Sequence, residues 1–295
     1  MSAGLDQAAD LERRFGGLRR LYGDARYTRL RQARVCVVGV GGVGSWAVEA
    51  LARCGVAALV LIDLDHVSDS NINRQIQALS LTVGQAKTEA LRERIAHIHP
   101  GCRVSTVEDF VRPDNWPALL PHPVDVLIDA CDQVRAKVAL AAWGLASGVP
   151  VVSVGAAGGK QRAEQVQVAD LADVTHDPLL ASLRQRLRKQ LTLEMSLTEV
   201  ALGSRPPLRS KQPAALQGLR CVFSRESVAA PVLAACAITE DNHAASHPTN
   251  DSSLNCHGYG SCVTVTATFG MVAAGEAIQL LLALPADRES QKFGL

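Results

Sequence analysis

Glycines at a defined spacing follow the first strongly apolar stretch of the chain, residues 35–38. Gly39, Gly41 and Gly44 have the spacing of a dinucleotide-binding turn. In such a turn one glycine permits the tight bend, one lets the backbone approach a phosphate, and one lets the following helix pack on the strand. The N–H groups and positive dipole end of that helix favour an anion. A glycine-rich turn kept only for packing is the alternative. The predicted phosphate site comprises Gly39, Gly41, Gly42, Gly44 and Ser45.

An acidic residue follows the second apolar stretch, residues 58–62. Asp63 lies nineteen residues beyond Gly44. In a βαβ unit this distance places a carboxylate against the hydroxyl groups of a ribose. We therefore expect Asp63 to bind the ribose of a nucleotide. An aspartate that only ends a strand in a turn is the alternative.

A polar loop, residues 65–75, carries one cation among amide side chains. Arg74 stands close to Asn71 and Gln75, and a planar guanidinium with neutral donors can chelate phosphate oxygens. Lys87, near a predicted helix start, would add a point charge at the β- or γ-phosphate; a solvated helical lysine is its alternative. This set favours a triphosphate over a nicotinamide cofactor. The predicted binding residues are Asp65, Asn71, Asn73, Arg74, Gln75 and Lys87.

Another acidic residue follows the apolar stretch 124–129. Acids at the carboxyl end of a strand lie in the crevice where open α/β sheets bind ligands. Asp132 is therefore a candidate Mg2+ ligand, with Gln133 beside it in the nucleotide site. We interpret Cys131 as a packing residue.

Apolar, strand-like stretches alternate with helical patterns along the first half of the chain. This alternation predicts an α/β, Rossmann-like fold with a mostly parallel sheet and helices on both faces. We expect a basic helical segment over residues 1–30, the nucleotide-binding core over 31–160, and residues 161–295 as the C-terminal part of the same domain. That part contains a basic insertion near 183–220, a polar loop near 241–260 and a terminal helix.

Charge is balanced overall but not locally. The net charge of +1 over 295 residues excludes a global nucleic-acid-binding signature. The segment 183–220 contains eight basic residues and only two acidic ones. Such a surplus of positive charge attracts phosphates regardless of base sequence. An exposed variable insertion is the alternative.

One stretch, residues 263–284, is apolar enough to suggest a membrane span. It contains Glu276 and Gln279 together with glycines. These residues favour a helix packed in a protein core over one in lipid. We therefore expect no membrane insertion.

The cysteines and histidines do not form a complete metal-binding pattern. The eight cysteines contain no C-x-x-C pair, and the N-terminus has no basic region followed by an apolar stretch. We therefore expect a reducing, cytoplasmic location. His243 and His247 have ligand-like spacing, but they lie in a predicted loop without a cysteine pair to complete a tetrahedral zinc set. We expect no zinc.

Taken in order, these motifs resemble a known family over roughly residues 30–155. The family is that of the ubiquitin-activating-type adenylating enzymes (ThiF, MoeB and HesA-like), and the matching segments are residues 39–45, 63–65, 71–75, 84–87 and 129–132. Further segments resemble its tRNA threonylcarbamoyladenosine dehydratase branch, which extends the resemblance over most of the chain. They are residues 14–17, 21–23, 177–179 and 221–224.

The resemblance implies ATP as the nucleotide and Mg2+ as its metal ion. It implies an enzyme that joins AMP to the carboxylate of N6-threonylcarbamoyladenosine in tRNA with release of pyrophosphate, after which ring closure expels AMP. The implied catalytic residues are Arg74, Lys87 and Asp132. In this assignment the phosphates lie over Gly41 and Gly42, and Asp63 binds the ribose. The phosphate oxygens are bound by Asn71, Arg74 and Lys87, and Mg2+ is bound by Asp132.

The resemblance also implies a homodimer, tRNA as the partner and room for a monovalent cation, K+ or Na+. Enzymes of this type take an arginine from the neighbouring subunit's N-terminal segment. In that segment the family pattern has a second arginine where this chain has Gly17, and Arg14 is the nearest candidate for the arginine that acts in the neighbouring subunit. A sulfur-transfer partner protein stays open.

Other functions remain compatible with the sequence. The main alternative is an adenylating activator of a ubiquitin-like sulfur-carrier C-terminus, against which the lack of C-x-x-C pairs argues. A non-catalytic scaffold and an NAD oxidoreductase are two further alternatives. The residue set Arg74, Lys87 and Asp132 argues against the scaffold.

Overall fold

The computed structural model describes residues 3–201, 218–229 and 259–284. The helices are α1 Ala3–Tyr22, α2 Asp24–Gln32, α3 Gly44–Arg53, α4 Lys87–Ile98, α5 Val134–Ser147, α6 Pro178–Ala201 and α7 Val263–Ala283. The strands are β1 Arg34–Val38, β2 Ala58–Ile62, β3 Arg103–Val107, β4 Val126–Asp129, β5 Val151–Val154, β6 Val166–Asp170 and β7 Arg220–Ser224.

The strands form one sheet in the order β3-β2-β1-β4-β5-β7-β6. The pairing of β6 with β7 is antiparallel, and the other pairings are parallel. From β1 the chain proceeds outwards through β2 to β3, and then returns past β1 to continue in the other direction from β4. The switch point between β1 and β4 opens a crevice at the carboxyl ends of the strands. The predicted α/β fold with a mostly parallel sheet is confirmed.

Helices cover both faces of the sheet, which explains why its central strands are uninterrupted apolar runs. Successive side chains of a strand point to opposite faces. In β1, Val35 and Val37 belong to one hydrophobic cluster, whereas Cys36 and Val38 belong to the other. The first cluster includes α3, α4 and α7, and the second includes α5 and α6. A parallel sheet requires this cover on both sides.

Helix α7 packs in the core. By length and composition it could cross a membrane, yet 56% of its most apolar window is buried within the fold. Phe269 and Ala273 are fully buried in the cluster that α3 also enters. At Gly270, a Cβ would overlap the carbonyl oxygen of Val43 and lie 2.7 Å from Cβ of Trp46. The prediction that this apolar stretch is a core helix is confirmed.

Some predicted segments are covered by the described residues only in part. The N-terminal segment contains α1 and α2, which meet at Gly23 with a φ of 77°. Residues 202–217 of the basic insertion lie outside the described residues, as does the polar loop up to residue 258 with His243 and His247. The boundaries proposed between the three segments stay a prediction.

The basic insertion is only partly a surface feature. In α6, Arg184 donates hydrogen bonds to the carbonyl oxygens of Leu171 and Val174. In β7, Arg220 forms ion pairs with one carboxylate from β6 and one from α7. Counting all eight basic residues as a phosphate-attracting surplus is therefore wrong for these two, because their guanidinium groups satisfy acceptors of the fold itself.

Replacing Gly270 by alanine should destabilise the protein, because the added methyl group must displace the α3 backbone. Overpacking of this kind costs roughly 1–3 kcal/mol. At Gly275 a Cβ meets nothing within 4 Å, so Gly275→Ala should stabilise α7 by roughly 0.5–1 kcal/mol. Urea unfolding of the two variants measures both effects. Equal shifts in the two would contradict the close packing of α7 on α3.

Candidate functional site

A cleft of about 570 Å³ opens at the switch point of the sheet. It is bounded by the glycine turn after β1, by part of the segment 63–75 after β2, by residues 130–133 after β4 and by residues 155–158 after β5. Residues 109–111, Lys87 and Thr266 also line it. A crevice outside the carboxyl ends of the strands at a switch point is the usual ligand site of open α/β sheets.

The glycines of the first turn meet three separate geometric requirements. Gly39 has a φ of 80°, and a Cβ there would lie 2.9 Å from backbone atoms of Ala130 and Cys131. A Cβ at Gly44 would overlap the carbonyl oxygen of Gly39. At Gly41 a Cβ would meet no backbone atom within 4 Å, which leaves room for a ligand. The tight bend, the helix packing and the approach to a phosphate therefore fall on the three predicted positions.

The N-terminus of α3 presents free donors to the cleft. Within the described part of the chain, the backbone N–H groups of Gly41, Gly42 and Val43 donate to no acceptor, and all three residues line the cleft. Val43 precedes the helix and supplies no side-chain cap. Unpaired N–H groups at the positive end of a helix dipole attract phosphate.

The carboxylate of Asp63 is oriented by the backbone around it. It accepts hydrogen bonds from the N–H groups of Val40 at 2.7 Å and Asp65 at 2.9 Å, and so ties the end of β2 to the glycine turn. Burial raises the pKa of Asp63, while nearby Lys87 and the two N–H groups oppose that shift. A carboxylate offers about four acceptor positions, so positions remain for the hydroxyl groups of a ligand.

Arg74 lies in the cleft wall with part of its guanidinium group uncommitted. Nη1 donates to the carbonyl oxygen of Ser70 at 2.6 Å and to Oδ1 of Asn73 at 2.9 Å. Nε and Nη2 donate to no group among the described residues. The carbonyl oxygen of Arg74 accepts from Trp46 and Thr266, which fixes its backbone against α3 and α7. A guanidinium held in this way keeps an edge free for phosphate.

Lys87 begins α4 and is anchored below the cleft. Its Nζ lies 2.7 Å from Oδ2 of Asp65. The Lys87 side chain is 7% exposed, whereas that of Asp65 is 55% exposed. The cation is therefore fixed and its anion is half solvated. An exposed partner contributes little to such a pair. A phosphate that enters the cleft can consequently take the place of the Asp65 carboxylate at low cost.

Asp132 and Gln133 are exposed in the cleft beyond the end of β4. The Asp132 carboxylate has no hydrogen-bond or ion-pair partner among the described residues. Mg2+ is commonly held by one or two carboxylates together with the phosphates of a substrate. An unbonded carboxylate beside the phosphate-binding turn fits that requirement.

Cys131 also borders the cleft, but its thiol is committed. Sγ donates to Oδ1 of Asp129 at 3.0 Å. Burial and the neighbouring Asp129 raise the pKa of the Cys131 thiol well above its ordinary value. A thiol held protonated is a poor nucleophile, which supports the packing role predicted for Cys131.

Most predicted site residues converge on this cleft, but three do not border it. Gly44 is packed behind the turn, Ser45 is fully buried, and Asn73 donates from Nδ2 to the carbonyl oxygen of Ser261 at 2.9 Å. These three lie outside the lining of the cleft and adjoin residues that form it. The predicted residues that line the cleft are Gly39, Gly41, Gly42, Asp63, Asp65, Asn71, Arg74, Gln75, Lys87, Asp132 and Gln133.

The second glycine-rich turn, residues 155–158, also lines the cleft although it was not assigned to the site from the sequence. The Asp177 carboxylate supports it by accepting from the N–H groups of Ala156 and Leu180, both at 2.9 Å. The available signal was a glycine turn at the end of an apolar strand, as in the first turn. Nothing local in the sequence marks Phe110 or Thr266, which reach the cleft from distant parts of the chain.

The fold and the cleft define a doubly wound α/β protein with a nucleotide-type site at its switch point. The ThiF family model matches residues 15–293. The chain belongs to the ThiF family.

Highly similar relatives span nearly the whole chain. The tRNA threonylcarbamoyladenosine dehydratase of Escherichia coli is 42% identical over 273 residues, covering 92% of this chain and 94% of that protein. The Haemophilus influenzae enzyme of the same name is 39% identical over 272 residues with the same coverage. A crystal structure of the E. coli enzyme in complex with ATP matches with a TM-score of 0.73 and 39% identity, covering 96% of this chain and 97% of that chain. The resemblance inferred from the motifs is confirmed.

Replacing Asp63 by asparagine should weaken ATP binding about 10–100-fold, because hydrogen bonds to a charged acceptor contribute roughly 1.5–3 kcal/mol. Burial raises the pKa of Asp63. In the wild type the affinity for ATP should therefore fall as the pH is lowered and the carboxylate becomes protonated, and this loss should begin above the ordinary aspartate pKa of about 4. The variant should lack this pH dependence. Calorimetric titration with a non-hydrolysable ATP analogue measures both.

The matched control is Asp69→Asn, which changes an exposed acid of the neighbouring loop outside the cleft lining. Its affinity and pH profile should equal those of the wild type. An unchanged affinity in Asp63→Asn would remove Asp63 from the nucleotide site.

Proposed function

We infer that this chain is an ATP-dependent tRNA threonylcarbamoyladenosine dehydratase. It joins AMP to the carboxylate of N6-threonylcarbamoyladenosine in tRNA and lets the modified base cyclise. One observation carries this inference: a single cleft combines free backbone donors, an oriented carboxylate and two cations in a chain that matches dehydratases of that name over 92% of its length.

The reaction is an activation of a carboxylate. A carboxylate oxygen of the substrate attacks the α-phosphorus of ATP, and pyrophosphate leaves. The substrate's own carbamoyl group then attacks the acyl carbon, and AMP leaves. Because the substrate supplies both nucleophiles, the enzyme needs none of its own, and the committed thiol of Cys131 agrees with this.

Arg74 and Lys87 are suited to stabilise the leaving pyrophosphate. Negative charge grows on this group as the bond to the α-phosphorus breaks, and preorganised cations are most effective where charge develops. Arg74 keeps a free guanidinium edge, and the Lys87 ammonium is anchored at the start of α4. The turn at Gly41 and Gly42 holds the phosphates, and Asp63 holds the ribose.

We assign Mg2+ binding to Asp132, with Gln133 beside it. A Mg2+ ion held by this carboxylate would neutralise charge on the phosphates and orient them. The chain's own contribution is an exposed carboxylate at the end of β4. The resemblance also implies a monovalent cation, K+ or Na+, and leaves a sulfur-transfer partner protein open. The described residues define a position for neither.

The substrate tRNA requires a surface that attracts phosphates. On α6, Arg186 and Lys189 are exposed and lie three positions apart, hence on one face of the helix. We assign contact with the tRNA backbone to this face together with the basic residues of the segment 202–217, which lies outside the described residues. We assign a cytoplasmic location to this tRNA-modifying activity.

We assign the interface of a homodimer to an exposed apolar loop. Leu79, Leu81 and Val83 are exposed, Leu81 at 93%, and contiguous exposed apolar surface commonly marks an interaction site. Leu79 and Leu81 border an open cavity of about 860 Å³ next to α1 and α4. Arg14 borders the same cavity and donates to the carbonyl oxygen of Ile98 at 2.9 Å. Its action in a neighbouring subunit stays a prediction.

Purified protein incubated with ATP and tRNA carrying threonylcarbamoyladenosine should convert the nucleoside to a product lighter by one water. AMP and pyrophosphate should appear in equal amounts. Arg74→Ala should lower kcat about 10²–10³-fold, the loss expected for one preorganised group that stabilises developing charge. Arg92→Ala, which changes an arginine 54% exposed on α4, is the control and should retain activity. Mass spectrometry of tRNA nucleosides gives the readout.

Two further measurements, AMP release in the presence of a carrier protein and the relative affinity for NAD and ATP, could change the assignment. AMP release with a ubiquitin-like carrier protein and none with tRNA would identify a carrier activator. Tighter binding of NAD than of ATP would exclude both adenylating activities.

Leu81→Glu should convert the homodimer to a monomer, because it places a charge in the assigned apolar interface. Leu193→Glu, at a leucine 61% exposed on α6, is the control and should stay dimeric. Sedimentation equilibrium measures both masses. A dimer that persists in Leu81→Glu would show that subunits meet elsewhere.

A further inference from the structure

Lys137 is a buried lysine that the chemistry described above does not use. It lies in α5 with its side chain 0% exposed. Its Nζ is 3.0 Å from Oδ2 of Asp129, and it donates to the carbonyl oxygens of Val154 at 2.7 Å and Asp129 at 3.3 Å. An ammonium has three N–H donors, and each of them has an acceptor here. Full pairing of this kind is what makes a buried charge tolerable.

The acceptors of Lys137 belong to the last residues of two neighbouring strands. Asp129 ends β4 and Val154 ends β5. Each strand continues directly into a segment that lines the cleft, residues 130–133 and residues 155–158. The ammonium therefore joins two walls of the cleft from behind.

Asp129 transmits this constraint to the loop that bears Asp132. Its Oδ1 accepts from the N–H group of Cys131 at 3.3 Å and from the thiol at 3.0 Å. Its Oδ2 accepts from Oγ of Ser153 in β5 at 2.7 Å. Cys131 directly precedes Asp132, so the orientation of the Asp129 carboxylate determines how the backbone enters Asp132.

We propose that Lys137 is a positioning residue for adenylation, which holds the ends of β4 and β5 together and so orients Asp132 and the 155–158 turn towards the nucleotide. The proposal rests on the proposed function. It gives a role to a fully buried side chain that lies outside the lining of the cleft. Misplacement of reacting groups by about 1 Å can cost on the order of 10²-fold in rate.

A purely structural role makes a different prediction from a positioning role. Lys137→Met leaves the Asp129 carboxylate buried without its cation, so it should lower stability in either case. The double variant Asp129→Asn/Lys137→Met removes the stranded charge and should regain most of that stability. It does not restore the bridge to Val154. Only a positioning role predicts that activity stays low while stability recovers.

The experiment compares kcat for tRNA dehydration with the urea midpoint of unfolding in both variants. We expect Lys137→Met to lower kcat about 10–100-fold with an unchanged KM for tRNA. The double variant should remain equally slow at a near-wild-type midpoint. Lys137→Arg keeps a cation with donors and should recover part of the loss.

Nucleotide binding supplies a readout that does not depend on turnover. Calorimetry with a non-hydrolysable ATP analogue, with and without Mg2+, measures how much Mg2+ strengthens binding. That gain should shrink in Lys137→Met and in the double variant, because Asp132 is no longer held in place. Asp125→Asn is the matched control: it breaks the 2.9 Å Arg34–Asp125 pair at the opposite end of β4, so stability should fall while kcat and the Mg2+ gain stay unchanged.

The proposal is overturned if the double variant regains kcat together with stability, or if Asp125→Asn loses the Mg2+ gain to the same extent. Should Lys137→Met alone not fold, the double variant, which lacks the stranded charge, carries the test, and a wild-type kcat and Mg2+ gain in it would overturn the proposal. A wild-type protein that does not dehydrate tRNA would count against the proposed function alone, since the binding comparison would still decide the role of Lys137.

Discussion

The site depends on the close approach of two backbone turns at the switch point between β1 and β4. Gly39 packs against residues 130 and 131 with no space for a side chain between them. The N–H group of Ala130 donates to the carbonyl oxygen of Val38, and the N–H group of Gly39 donates to the carbonyl oxygen of Ile62. The connections on the two sides then run in opposite directions, which leaves the crevice open. Backbone N–H groups of one turn and the Asp132 carboxylate beyond the other therefore border the same cleft.

The cations of the cleft are anchored, whereas their present partners are replaceable. Lys87 is 7% exposed and its partner Asp65 is 55% exposed. Arg74 is fixed through its own carbonyl oxygen by α3 and α7, and part of its guanidinium group is uncommitted among the described residues. An adenylating site needs this arrangement, because cations already in position stabilise developing charge without a reorganisation cost.

Several charged residues serve the interior of the fold rather than its surface. Arg184 binds backbone carbonyl oxygens, Arg220 joins β7 to its neighbours through ion pairs, and Lys137 joins the ends of β4 and β5. Such long cationic side chains can satisfy acceptors that the backbone leaves unpaired at strand ends and loops. Local charge density along a sequence is therefore a poor guide to a binding surface until the partners of each cation are known.

The sequence by itself determined the alternation of strands and helices, the glycine turn and the residues at the strand ends, such as Asp63 and Asp132, because these signals are local in the chain. It also brought Arg74 and Lys87 to the cleft that both line, because both belong to the β2–α4–β3 unit. Only the tertiary structure decided that residues 155–158 and Thr266 border the same cleft, and that Asn73 turns away towards α7. Contacts between residues up to about two hundred positions apart depend on strand order and helix packing, and the local periodicity of a sequence carries no information about either.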